Sequence, residues 1–301
     1  MKVRTLSSQA TIDGVNTPPP PQPTAQPVAH YENFPVASVL CPPRLRPPIA
    51  AIYHFARTAD DIADEGDAPA QQRLEQLAAL HADLMAVAAS QPHSGRWPQV
   101  FEPLAAMIRA FELPVPLLAD LLDAFTQDVI KTRDQTGYAD RAELMDYCRR
   151  SANPVGRLLL HLYGVRDEAA LRMSDDICSA LQLINFWQDL SLDIPRGRHY
   201  LPAQDCAALG VTPNDLKALR QTPQAANLIA GQARLARELM EQGAPLVRRI
   251  PGRAGWELRL VVQGGLRILD KIEALNFATL QTRPRLNPLD VVVMLWRSLW
   301  M

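Results

Sequence analysis

Cysteine is scarce in this chain: Cys41, Cys148, Cys178 and Cys206 are the 4 present among 301 residues. They are scattered, with no C-x-x-C pair, which excludes a disulfide framework or a thiolate zinc site and points to free thiols in a reducing compartment. An excess of charge of one sign is also lacking. Lys and Arg number 31 against 32 Asp and Glu, a formal net charge of −1, so no nucleic-acid partner is expected, because such binders need a basic surface to displace counterions. No stretch reaches the ~20 apolar residues of a spanning helix, and the N-terminus has no apolar run of signal-peptide type. A cytoplasmic location is the expectation. Glycine is sparse at 14 residues, β-branched residues do not alternate, and no fixed period recurs, which argues against a sheet fold and a solenoid. A G-x-G-x-x-G motif is missing too, although nicotinamide can bind a helical fold without it.

What is present is helical. Hydrophobic residues make up 48% of the chain, enough for a large core, and Ala and Leu dominate. Residues 1–29 are rich in Pro, Gln, Thr and Ala, including the run Pro18–Pro21, and read as a disordered or extended segment. Residues 30–301 read as one all-α domain. The spacing predicts helices over Leu45–Asp64, Gln71–Ala89, Phe101–Phe111, Leu117–Lys131, Ala142–Gly164, Glu168–Asp193, Asn227–Gln242, Gly255–Phe277 and Leu289–Trp300.

Two carboxylate stripes carry the chemistry. Tyr53, Arg57, Asp60 and Asp64 fall at i, i+4, i+7 and i+11, one helical face, among the apolar Ile49, Ile52, Phe55 and Ile62. A solvated charge stripe is the alternative, but the apolar surroundings suggest burial, and buried carboxylates call for cations. Asp60 and Asp64 stand one turn apart, suited to bridging magnesium to a diphosphate. Later, Asn185, Asp189 and Asp193 share a face at i, i+4 and i+8 and offer a second oxygen cradle. Arg196 and Arg198 follow where that helix ends. They suit a phosphate clamp, though arginine near a helix C-terminus also answers the helix dipole.

With these residues in view, His30 to Phe277 resembles the squalene and phytoene synthase family of head-to-head prenyl synthases. The resemblance rests on Asp60–Asp64, on Asn185/Asp189/Asp193, on Gly197-Arg198-His199-Tyr200-Leu201-Pro202, and on Tyr147-Cys148 before a turn of small residues. It implies a single-domain class I isoprenoid synthase bundle around a deep central cavity, an enzyme of carbon–oxygen lyase or transferase type acting on a prenyl diphosphate with magnesium. By matching position, Asp60, Asp64, Asn185, Asp189 and Asp193 would hold metal. Arg57 and Arg198 would touch phosphate, and Tyr53, Tyr147 and Gln182 would line the reacting centre.

The sequence also departs from the family pattern. The usual His-Ser-x-Ser-Phe opening is His30-Tyr31-Glu32-Asn33-Phe34-Pro35, which leaves His30 and Asn33 as the substrate-binding candidates there. Gln188 replaces the customary Arg before the second-motif Asp. Ser151-Ala152-Asn153-Pro154-Val155-Gly156 replaces Val-Ala-Gly, and Gly265 stands where an aromatic is expected. The Glu32–Ser38 and Ser151–Gly156 segments are similar to the bacterial hydroxysqualene synthase branch of hopanoid pathways. That likeness implies presqualene diphosphate as substrate, water as the cation's trap, no NADPH, and an upstream presqualene diphosphate synthase as functional partner. Gln188 and Tyr200 complete the substrate-binding set. Asn153, Tyr147 and His54 are the polar candidates for placing the water, while Phe186 and Trp187 at helical spacing suit the core. Two rivals remain: condensation of two prenyl diphosphates to squalene, presqualene diphosphate or phytoene, and a non-enzymatic, membrane-associated assembly subunit. At the C-terminus, Trp296 and Trp300 share a face of a helix too short to span. Peripheral contact with the inner membrane and packing on the core are the two expectations for it.

Overall fold

The computed structural model describes residues 41–250 and 252–301, and among them every regular element is helical. The helices are α1 (Arg46–Asp64), α2 (Ala70–Ala88), α3 (Pro98–Phe111), α4 (Val115–Asp134), α5 (Arg141–Ser151), α6 (Asn153–Leu162), α7 (Glu168–Asp193), α8 (Ala203–Ala208), α9 (Pro213–Lys217), α10 (Pro223–Gly243), α11 (Gly252–Ala274) and α12 (Pro288–Ser298). His30, Asn33 and the Pro-rich segment 1–29 lie outside the described residues.

Helix α7 is the spine. The Asp167 carboxylate caps its start, accepting from the Ala170 N–H at 2.9 Å. Its buried residues, among them Ile177, Cys178, Leu181, Ile184, Trp187 and Leu190, fall on more than one side, so it is wrapped by neighbours instead of lying on the surface. It packs against α5, α6, α10 and α11. Trp187 is fully buried, which places it in the core. At the α6 crossing, a Cβ on Gly156 would lie 2.4 Å from Ser174 Oγ and 2.6 Å from Cys178 Sγ, so only glycine lets the helices approach this closely.

A second apolar cluster joins α1 to α2, α3 and α4. Phe55 is fully buried and meets Phe101 edge-on, ring centroids 6.1 Å apart. It is therefore a core residue, contributing roughly 1.5–3 kcal/mol by burial, and does not face a reacting centre.

The predicted continuous helix 142–164 is two. It breaks at Ala152 (φ −116°, ψ −48°), just before Asn153 and Pro154 open α6. Pro154 has no N–H to continue the ladder, so it serves as a first-turn residue of a new helix. The short helices α8 and α9 were not anticipated either. Gly265 also has a physical reason: a Cβ there would come 2.7 Å from Met240 Cε and 3.1 Å from Ile184 Cδ1, leaving no space for the aromatic expected at that position.

Candidate active site

The buried line Ile52, Phe55, Ala59 and Ala63 fixes the rotation of α1, leaving Arg57, Asp60 and Asp61 on the half-buried flank and Asp64 exposed at its end. Arg57 pairs with Asp60 at 3.0 Å and with Asp61 at 2.7 Å. Asp64, the last residue of α1, reaches instead to Arg198 at 2.7 Å.

Arg198 arrives there because of how α7 ends. After a 3-10 turn over Ile194–Arg196, Gly197 takes the left-handed conformation at φ +80°. Its N–H bonds to the Ile194 carbonyl and the Arg198 N–H to the Asp193 carbonyl, both at 3.0 Å. This Schellman-type closure reverses the chain and turns Arg198 back toward Asp193, 3.8 Å away. Burial pushes the Asp193 carboxyl up to about 6, and Asp189 and Asp64 push the same way against the pull of Arg198 and Arg196.

Asp189 is met from further along the chain. Arg283 forms a two-pronged pair with it, its Nε on Oδ1 and its Nη2 3.0 Å from Oδ2. The neighbouring Pro284 carbonyl accepts from Gln188 Nε2 at 2.8 Å. Gln188 thus anchors the strap that carries the arginine. Where the family pattern has a cation next to Asp189 in sequence, this chain brings one in through space.

Among the described residues no three His, Cys, Asp or Glu side chains surround a common point, since each stripe carboxylate is turned to an arginine. The donor chemistry nonetheless fits a hard divalent ion. Asp64 and Asp193, from two different helices, lie against the same guanidinium, so one cationic position is shared between carboxylate oxygens of α1 and α7.

Beside the carboxylates lies an aromatic nest. Phe186 stacks on Tyr200 at 3.6 Å and 10°, and Tyr138 and Tyr147 lie against them. The Tyr147 hydroxyl donates to Asp128 Oδ2 at 2.5 Å. Burial pushes the Asp128 carboxyl up to about 7; Asp64 and Asp60 add to this, while Tyr147 and Arg198 oppose it. Lys131, on the same helix as Asp128, places its ammonium 4.5 Å from the Tyr138 ring centre. Asp128, Lys131, Arg198, His199 and Tyr200 line a cleft here.

The structure therefore brings Arg57, Asp60, Asp64, Asp193 and Arg198 into one charged group and sets Tyr147 and Tyr200 beside Asp128. Asn185 and Gln182 are half-buried on α7, and Tyr53 is half-buried on α1. His54 is exposed, which corrects its reading as a polar group deep in a pocket: it points away from the buried flank. Asn153 is buried, but its Oδ1 accepts from Ser179 Oγ at 2.9 Å, tying α6 to α7. Arg283 and Asp128 were not anticipated. Arg283 has no local signal at all. Asp128 had a faint one, for it stands at i+4 and i+7 from the buried Ala124 and Leu121 of an apolar face.

Comparison with known proteins gives a consistent picture. A family model described as squalene/phytoene synthase matches residues 28–290. The hydroxysqualene synthase of Rhodopseudomonas palustris is 34% identical over 87% of this chain and 86% of its own. The presqualene diphosphate synthase of the same species is 31% identical over 65% of this chain and 67% of its own. A crystal structure of the squalene synthase HpnC from Alicyclobacillus acidocaldarius superposes with a TM-score of 0.74 at 34% identity, covering 82% of this chain and 90% of that one.

Proposed function

The chain belongs to the squalene/phytoene synthase family, and from that premise we propose that it acts as a hydroxysqualene synthase on presqualene diphosphate. The carbon–oxygen bond to diphosphate breaks, the C30 cation rearranges, and water adds its oxygen to the cation and gives up a proton. The products are hydroxysqualene and diphosphate. The observation that carries this reading is the extent of likeness: similarity to the R. palustris hydroxysqualene synthase runs over 87% of the chain, against 65% for the presqualene diphosphate synthase of that species.

The geometry supports the following roles. Asp60 and Asp64 on α1, with Asn185, Asp189 and Asp193 on α7, would hold magnesium. When bound, it supplies positive charge for the developing diphosphate. Arg57, Arg198 and Arg283 carry planar guanidinium forks suited to phosphate oxygens, and each is already placed against one of the stripe carboxylates. Tyr138, Tyr147, Phe186 and Tyr200 exclude bulk water and present ring faces to a cation. Of the three polar candidates for positioning the water, Tyr147 has the best surroundings: it sits in the aromatic nest with Asp128 as its hydrogen-bond acceptor. In this scheme the Tyr147 oxygen holds the water and takes the proton that it gives up as it bonds to the cation, while the hydroxyl proton of Tyr147 passes to the ionised Asp128 carboxylate.

A second reading, condensation of two prenyl diphosphates, is supported by the A. acidocaldarius relative being called a squalene synthase. Incubation with presqualene diphosphate or farnesyl diphosphate, with magnesium and with or without NADPH, in oxygen-18 water separates the two. Hydroxysqualene carrying the label, formed without NADPH, is the expected product. NADPH-dependent squalene, or an unlabelled alcohol, would overturn water capture and leave family membership intact.

A further inference from the structure

Helix α12 docks inside out. Asp290, Met294 and Ser298 recur every fourth residue and face the protein. Asp290 is 1% exposed and pairs with Arg267 at 2.7 Å and Lys271 at 2.8 Å, both on α11. The carbonyl of Ser298 accepts from Arg259 at 3.1 Å, and Arg297 reaches Asp270 at 2.8 Å. This seam is built from charges and hydrogen bonds. The opposite side is apolar throughout: Leu289, Val292, Leu295, Trp296, Leu299 and Trp300 are exposed by 76, 63, 50, 63, 57 and 74%. A helix that merely completes a water-soluble core has the reverse arrangement, and six contiguous large apolar side chains mark a contact surface.

The C-terminal segment that carries that surface is basic. Residues 252–301 contain seven Lys and Arg against four Asp and Glu, in a chain whose total charge is −1. Asp290 and Asp270 are paired in the seam with Arg267, Lys271 and Arg297, whereas Arg253 and Arg285 are exposed. Arg259 lies over the half-exposed ring of Trp256, 5.1 Å from its centre. No described helix is long and apolar enough to cross a membrane, so a helix of this kind lies along an interface.

We propose that α12 seats this protein on an anionic lipid surface, with its apolar side at the acyl boundary, Trp296 and Trp300 at headgroup depth and the arginines against lipid phosphates. Charge decides between this occupant and a second copy of the chain. A two-fold self-contact would bring two copies of this basic segment together, while acidic headgroups complement it. The face requires a partner whatever reaction the carboxylates serve.

The test uses the full chain and vesicles of phosphatidylcholine with and without phosphatidylglycerol, read by co-sedimentation, with sedimentation velocity and thermal unfolding in parallel. The wild type should bind the anionic vesicles, bind plain phosphatidylcholine more weakly, and be released in part by salt. The double variant Leu295→Glu/Trp296→Glu alters only exposed side chains. It should lower the partition coefficient by roughly 100-fold or more with its unfolding temperature unchanged. Wild-type protein left in the supernatant, or a variant that binds as tightly as wild type, would overturn the proposal. So would a wild-type dimer that the variant converts to monomer, an outcome that assigns the face to self-association.

Discussion

The guanidinium of Arg198 lies 2.7 Å from the carboxylate of Asp64 and 3.8 Å from that of Asp193, so a single side chain spans the last residues of α1 and α7. Replacing it should be costly to the reaction. Arg198→Ala is expected to lower single-turnover diphosphate release by roughly 100-fold or more, the scale for losing one preorganised charge-stabilising group. Arg198→Lys should recover only part of this, because an ammonium has no fork to share between two partners. Near-wild-type release by the alanine variant would remove Arg198 from the chemistry.

Asp60→Asn and Asp189→Asn probe the two helices separately. Each keeps side-chain size and removes one charge from a half-exposed position, so helical circular dichroism should not change. Turnover at saturating magnesium should fall on the order of 100-fold or more in both. A variant that keeps its rate would exclude that carboxylate from the metal-holding set.

Arg283 and Gln188 are expected to act as one unit. Arg283→Ala removes the two-pronged partner of Asp189 and should cost the reaction about as much as a carboxylate change. Gln188→Ala loses only the bond to the Pro284 carbonyl, and a net hydrogen bond of about 1 kcal/mol translates to roughly a fivefold loss of turnover. In the Arg283→Ala background the Gln188 change should have no further effect on rate. Independent, multiplying losses would show that Gln188 acts directly on substrate and not through the strap.

Asp128 sets a pH signature. Its carboxyl is pushed up to about 7, chiefly by burial, against about 3.9 in an unfolded chain. The native state therefore holds a proton that the unfolded state releases, and this contribution to stability declines as pH rises from about 4 to 7. Asp128→Asn has no such proton to lose. Relative to wild type it should gain stability across that window, reaching roughly 1–3 kcal/mol at pH 7.5, while hydroxysqualene formation falls. Parallel denaturation curves for the two proteins between pH 4 and 7.5 would contradict the raised value.

The parts of this molecule that the sequence made legible are those whose causes are local. Helix α7 was predicted over its observed range, Glu168–Asp193, because Asp167 caps it and Pro195 and Gly197 stop it. The two stripes could be read because Asp60 and Asp64, like Asp189 and Asp193, are separated by one turn. The break between α5 and α6 was missed, since Ala152 takes no unusual residue type to mark it and Pro154 is as acceptable in a first turn as it is disruptive in an interior. Arg283 was out of reach for another reason: 94 residues separate it from Asp189, and only the packed fold makes them neighbours. Helix α12 was half legible. Its tryptophans could be assigned to one face, but which face met the protein depended on Arg267 and Lys271 finding Asp290.

Gly197 shapes how freely this chain can vary. Its positive φ excludes most side chains, and any Cβ there would stand 2.7 Å from Gln135 Nε2. Glycine is thus the favoured residue at this position, while the adjacent exposed Arg196 can be exchanged at little structural expense. A saturation library sorted for folded, active enzyme would accordingly return chiefly glycine, then Asn and Asp, at 197 and tolerance at 196. Arg198 inherits that restriction, because a guanidinium can be aimed at Asp64 only from a backbone that has already turned the corner.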